Sequence, residues 1–149
     1  MGRDEDFERF FREVEPRLRR AFVGTHGPDA GDAAAEALAW AWEEWEKVQT
    51  LENPAGYLFR VGRSKSRVRK VPRLRPVEAL DLPDVEPRLV PALLGLPPRQ
   101  RTAIWLVHAC QWRPAEVAEA MGISASAVST HLSRGLERLR SILEVTDHA

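Results

Sequence analysis

Three groups of side chains are typed and spaced so that they could do chemistry. The first is acidic: Asp29, Asp32, Glu36 and Trp40 recur at i, i+3, i+7 and i+11, one stripe of a helix. Paired carboxylates can serve acid–base catalysis, but no His, Ser or Gly-rich loop converges on them in the sequence, so a catalytic role is not expected. An aromatic beside acids that lose their water on contact has the composition of a protein-binding hot spot; a plainly solvated acidic face is the alternative. Trp40 stands about 160° around that helix from Trp42, so the two cannot share one core. The second group is basic. Arg60, Arg63, Lys65, Arg67, Arg69 and Lys70 give a helix face able to neutralise several phosphates. Tyr57 and Phe59 lie one turn before it, and aromatic stacking next to backbone cations can hold bases that have left a duplex. Tyr57 fits a core position equally well. The third group is polar: Ser126, Ser129, Thr130, His131, Ser133 and Arg134 line the outward face at the start of a late helix, with Arg113 and Arg138 placed for phosphates.

Metal and cofactor chemistry find no footing in these residues. The single cysteine, Cys110, removes cysteine-based zinc clusters and internal disulfides, and fits a reducing cytoplasm. His108 and Cys110 are two apart on a helix, diverge, and read as packing residues. His26 lies in a turn and is assigned no role. No metal and no cofactor is expected.

The elements that must position these groups are helices. The chain has 149 residues, 44% apolar and 30% charged, a balance that argues against global disorder. No apolar run approaches the roughly 20 residues of a membrane span, and the charged start is no signal peptide. Net charge is zero by cancellation: residues 1–50 carry 7 basic and 12 acidic groups, residues 51–86 carry 8 and 5, and residues 87–149 carry 7 and 5. Blocks of opposite sign suggest separate surfaces for separate partners.

Phe7, Phe10, Phe11, Val14, Leu18, Ala21 and Phe22 mark one face of a first helix, which Pro16 should kink or divide near Glu15. Gly24 to Pro28 reads as a turn. Asp29 can cap a second helix running to about Lys47, with Ala34, Leu38, Ala41, Trp42, Trp45 and Val48 inward. Asn53-Pro54 opens a third helix that buries Tyr57, Leu58, Val61 and Val68 and turns its Arg/Lys set outward. Residues 71–86 are rich in proline, which favours extended backbone; they read as a linker able to span about 50 Å. Beyond it come a short helix from Arg88 to Leu94, then Arg99 to Gln111, then Pro114 to Met121. Gly122 closes the last of these in the left-handed conformation, and Ser124 caps a final helix carrying Val128, Leu132, Leu136, Leu139 and Leu143. Helix, Gly-containing turn, helix is the helix-turn-helix pattern.

L-P-P-R-Q-R-T-A-I-W-L-V-H-A-C-Q-W-R-P-A-E-V-A-E-A-M-G-I-S-A-S-A-V-S-T-H-L-S-R-G-L-E-R-L-R, from Leu96 to Arg140, resembles region four of sigma-70-type factors, especially the short extracytoplasmic-function group. The first half resembles their region two: D-A-G-D-A-A-A-E-A-L-A-W-A-W (Asp29 to Trp42) looks like the polymerase-docking helix, and N-P-A-G-Y-L-F-R-V-G-R-S (Asn53 to Ser64) like the promoter-melting segment. The chain departs from that pattern in the alanines of the docking helix, a short loop before Asn53, and Ser129 and His131 where relatives usually place Lys or Arg.

The resemblance implies an all-α fold of two small domains: residues 1–70 for polymerase docking and minus-10 DNA, and residues 87–149 for minus-35 DNA, joined by 71–86. It implies that Asp29, Asp32, Glu36 and Trp40 meet the clamp of core RNA polymerase. Tyr57, Arg60, Arg63, Lys65, Arg67, Arg69 and Lys70 would meet minus-10 DNA, and Arg113, Ser126, Ser129, Thr130, His131, Arg134 and Arg138 minus-35 DNA. Core RNA polymerase and promoter DNA would be the partners of a cytoplasmic, non-enzymatic protein, and the resemblance leaves room for an anti-sigma factor as a third. Two other readings are a sigma-like protein that docks without opening DNA and a stand-alone helix-turn-helix regulator. The latter would have no need of the acidic stripe.

Overall fold

Phe7, Phe10, Val14, Leu18, Ala21 and Phe22 share a stripe, and in the computed structural model of the chain that stripe is the inner face of one 24-residue helix, α1 (Arg3–His26). The structure describes residues 2–66 and 88–148; the expected linker lies outside them, as do Arg67, Val68, Arg69 and Lys70. Pro16 does not divide α1, contrary to the sequence expectation. It is exposed, so the carbonyl left without a partner can reach water, while buried Val14 and Leu18 hold the helix on either side of it. Phe11 also departs from expectation: it is 42% exposed.

A 3-10 turn (Gly27–Asp29) leads into α2 (Ala30–Glu43), and Asp29 makes no side-chain cap there. The expected helix to Lys47 is broken at Glu44, after which α3 (Trp45–Val48) begins. The break turns Trp45 into α1, where its ring meets Phe7 and Phe10 edge-on at 5.3 and 5.1 Å. Ala30, Ala33, Ala34, Ala37 and Ala41 are buried; side chains this small let neighbouring backbones approach closely. Trp42, expected inward, is 38% exposed. Then α4 (Pro54–Ser66) starts from Asn53, whose Oδ1 accepts the Gly56 N–H at 3.1 Å. Leu58 is fully buried as expected, and so is Phe59, stacked 4.9 Å from Phe22.

In the second half, α5 (Leu89–Leu94) precedes α6 (Pro98–Ile104), which widens into a π-helical turn, Trp105–Ala109. The chain leaves that turn through Gln111 at φ 58° and enters α7 (Pro114–Met121). Gly122 ends α7 at φ 67°, ψ 36°, the left-handed residue that sequence placed there. The Ser124 hydroxyl oxygen accepts the Ala127 N–H at 3.0 Å and opens α8 (Ala125–His148). Removing that cap has a defined cost: Ser124→Ala should destabilise the chain by about 1 kcal/mol in a denaturant titration. An unchanged midpoint would show that the cap bond carries no stability. No strand occurs among the described residues. One apolar cluster runs from Val14 through Phe22, Phe59, Trp105 and Val117 to Leu139, joining helices from both halves.

Candidate interaction surfaces

Asp32, Glu36 and Trp40 of the acidic stripe sit on α2 and Asp29 in the turn before it; α1 and α4 position α2 by burying its alanine face. Asp32 is exposed, and Asp29 and Glu36 are half-buried. Trp40 is half-buried too, and its ring leaves the acids to lie 5.6 Å from that of Tyr57. The exposed aromatics are instead Trp42, about 160° around α2 from Trp40, and Phe11 of α1. Phe7 meets Trp42 edge-on at 5.0 Å. The Arg3 guanidinium lies 4.5 Å over the Trp42 ring and donates to the Trp42 carbonyl at 2.6 Å. Phe7, Phe11, Leu38 and Trp42 thereby line an apolar groove between α1 and α2, with Asp4, Glu8 and Glu15 along it.

On α4 the structure separates residues that sequence grouped. Arg60 and Lys65 are exposed, but Arg63 is half-buried, 5.8 Å over the Phe59 ring. Next to it His26 is half-buried against Phe22, ring centroids 4.9 Å apart. Burial, and then the Arg63 charge, lower the His26 pKa below its ordinary value and keep the ring neutral at neutral pH. Phe59 is a core residue and offers no ring to a ligand. Tyr57 is half-buried, and the exposed Lys47 ammonium donates to its hydroxyl at 2.9 Å. That hydrogen bond raises the Lys47 pKa above its ordinary value, so the amine stays charged.

On α8, Ser126, Ser129, Thr130, Ser133, Arg134 and Arg138 are exposed and His131 is half-buried. Thr130 donates its hydroxyl proton to the Ser126 carbonyl at 3.2 Å, leaving its oxygen as an acceptor for a ligand. Exposed Arg113 precedes α7, and its backbone N–H is held by Glu116 Oε1 at 3.1 Å. His108, expected to pack, is exposed, because the widened turn carries it outward. Cys110 is half-buried, and burial pushes its thiol up to about 12 despite the charges of Arg20 and Arg17.

The largest feature that sequence did not indicate is the contact between the halves. Trp105 is fully buried, its indole N–H donates to the Arg20 carbonyl at 2.8 Å, and Arg20 Nε–H donates to the Ala109 carbonyl at 3.2 Å. Gly24 is what admits the indole, since a β-carbon there would overlap the ring. Trp112 meets Phe59 edge-on at 5.9 Å. Asn53 Nδ2–H reaches Glu119 Oε2 at 3.2 Å, and Arg17 pairs with Glu116 at 3.4 Å. Arg60 lies beside Gly122, in the turn between α7 and α8. The turn expected from Gly24 begins only at Gly27: α1 continues through Gly24 to His26, because the glycine is there to admit a neighbouring ring rather than to reverse the chain.

Comparison with known proteins identifies the fold and the family. Residues 88–139 match the family described as Sigma-70, region 4. Over 161 aligned residues the chain is 31% identical to the RNA polymerase sigma-E factor of Streptomyces antibioticus, covering 99% of this chain and 89% of that protein. Two solved structures share the fold. The sigma factor RpoE of Bartonella quintana, in complex with the anti-sigma factor NepR, superposes with a TM-score of 0.75 at 24% identity, over 95% of this chain and 98% of that one. CnrH, in complex with the cytosolic domain of CnrY, gives 0.75 at 23% identity, over 97% and 91%.

Proposed function

Since the chain belongs to the sigma-70 family of RNA polymerase sigma factors, in its short extracytoplasmic-function group, we propose a division of labour among its surfaces. As a sigma factor it binds core RNA polymerase and directs promoter-specific initiation. Residues 1–70 form the docking and minus-10 domain and residues 87–149 the minus-35 domain, joined by 71–86. Asp29, Asp32 and Glu36 meet the basic, apolar coiled coil of the polymerase clamp, with the groove of Phe7, Phe11 and Trp42 beside them. Arg60 and Lys65, with Arg67, Arg69 and Lys70, follow the minus-10 backbone. No reaction is catalysed: stacking and charge hold the opened strands. An anti-sigma factor that covers the acidic stripe is a fitting regulator; among the structural relatives, RpoE is in complex with the anti-sigma factor NepR and CnrH with the cytosolic domain of CnrY. No helix among the described residues is long and apolar enough to cross a membrane, and we place the protein in the cytoplasm with its polymerase.

The observation that carries this reading is the pairing, in one chain, of an acidic helix face with a capped helix-turn-helix. A test is transcription by core polymerase and this chain from a library with a randomised minus-35 element. His131 and Arg134 are three apart on α8, so they project from one face. Arg134→Ala should relax the preferred minus-35 bases by about 1–3 kcal/mol of discrimination, and His131→Ala should alter them. Arg138, a turn further on, faces phosphates, so Arg138→Ala should weaken all sequences alike and reduce the salt slope by about one. Base preference untouched by both His131→Ala and Arg134→Ala would remove α8 as the reader. Absence of any promoter-dependent transcript would remove the function.

A further inference from the structure

Glu8, Arg12, Glu15 and Arg19 recur at i, i+4, i+7 and i+11 of α1, so they fall within about 60° of one another on its outward side. Glu8, Arg12 and Arg19 are exposed and Glu15 is half-buried. Within the chain they form two ion pairs, Arg12 with Glu8 at 3.1 Å and Arg19 with Glu15 at 3.4 Å. Phe11 stands beside this stripe on the side of α2, and Glu8 and Glu15 lie with it along the groove that Trp42 lines. Among the described residues the large apolar side chains left exposed are Phe11, Trp42 and Leu94, and two of these three meet here. The α2 wall of the groove includes Gly31, Ala35 and Ala39, which are exposed and uncharged. Side chains this small let a further helix lie close.

We propose that this face pairs with the same face of a second copy of the chain, in a two-fold homodimer whose two α1 helices run antiparallel. The order of the charges selects a second copy. Read along α1 the stripe is acid, base, acid, base at spacings of four, three and four; read backwards it is base, acid, base, acid at the same spacings. A copy turned end for end therefore sets Glu8 against Arg19 and Arg12 against Glu15, and the two-fold axis repeats both pairs. Joined to the two ion pairs within each helix, these contacts link eight charges along about 16 Å of helix, with no like charges directly opposite. An unrelated helix would need that order built into its own sequence, whereas a second copy has it by symmetry. The stripe is also neutral, while residues 1–50 as a whole carry 12 acids against 7 bases, so other pairings of two copies are on balance repulsive. The same rotation keeps both α2 helices on one side of the α1 pair. The two grooves then open toward each other, and Phe11 and Trp42 of both copies leave water together. The inference stands on the α1–α2 face alone and needs neither the polymerase nor the DNA assignment. Its consequence for them is competition: a chain has to part from its copy before the groove meets another protein.

The test is sedimentation equilibrium of the full chain over a range of concentrations, as the parent and as charge-swapped variants. The parent's mass should rise with concentration from one chain to two and stop there, because a two-fold interface closes on itself. Glu8→Arg with Glu15→Arg leaves four bases on the stripe, and Arg12→Glu with Arg19→Glu leaves four acids. Each double variant should weaken self-association by about 10- to 100-fold and keep the helical circular dichroism of the parent. Mixed one to one, the two variants should pair as the parent does, since acids again face bases. Damage to the fold of either variant would not be repaired by mixing. Phe11→Ala changes no charge and should weaken the parent dimer by about tenfold. A parent that stays a single chain at every concentration overturns the dimer, and growth beyond two chains overturns its two-fold form. Self-association undiminished in both double variants, or double variants that fail to pair when mixed, overturns this face as the contact.

Discussion

Trp105→Ala is expected to destabilise the whole chain by about 3–5 kcal/mol, the range for removing a fully buried large aromatic side chain. The indole is 0% exposed, and its N–H is satisfied by the Arg20 carbonyl at 2.8 Å, so truncation leaves a cavity and removes one hydrogen bond between the halves. Small domains have only about 5–15 kcal/mol in total, so this one side chain decides whether the two halves stay packed. The polar contacts beside it count for much less. The side chains of Arg17 and Glu116 are 49% and 22% exposed, and exposed pairs of this kind contribute about 0–1 kcal/mol. The reciprocal variant is Gly24→Ala, which adds one carbon where the indole ring lies. It should also destabilise, by about 1–3 kcal/mol, through overpacking rather than a cavity. Denaturant unfolding of both variants checks the pair. A Trp105→Ala midpoint within about 1 kcal/mol of the parent would mean that the contact between halves carries little of the stability.

Much of this architecture was legible because local signals agreed with one another. Helical periods located α1, α2, α4 and α8, and Pro114, Gly122 and Ser124 marked three helix boundaries to the residue, because a missing N–H, a positive φ and a hydroxyl acceptor are each requirements of a single position. What sequence could not supply was the identity of the neighbour. Trp42 carries the same apolar period as Leu38 and Trp45, yet it faces a groove and lies beneath Arg3. Phe59 sits in a run that reads as nucleic-acid binding, yet Phe22 and Trp112 enclose it. Both outcomes are set by a second helix that the period does not encode. Pro16 failed as a breaker for a related reason: the packing of one long apolar face outweighs a local cost when the ring points to water. The site divides the same way. Exposed Asp32, Arg60 and Arg134 were legible from charge and spacing, whereas the Trp40–Tyr57–Lys47 convergence needs three helices in place and has no linear signature.

Asp32→Arg combined with Glu36→Arg should abolish co-purification with core polymerase. The two carboxylates are one turn apart on α2, so both face the same partner helix. Removing one member of a desolvated charge pair costs about 2–5 kcal/mol, and reversal adds repulsion against a basic surface, so the pair of changes exceeds a thousandfold in affinity. The cost to folding is small by comparison. Arginine is a good helix former, Asp32 is exposed, and the lost interaction with the α2 dipole is about 0.3–1 kcal/mol. Helical circular dichroism should therefore match the parent, which separates lost docking from lost structure. Trp42→Ala provides a graded comparison. It removes the exposed ring of the groove, and with it the platform under the Arg3 guanidinium, but adds and removes no formal charge, so it should weaken polymerase binding with little change in its salt dependence, whereas a single Asp32→Asn should weaken binding and flatten that dependence together. Co-purification undiminished by the double reversal would place the polymerase contact elsewhere on the chain, because no basic partner helix could tolerate two arginines at the centre of an acidic seat.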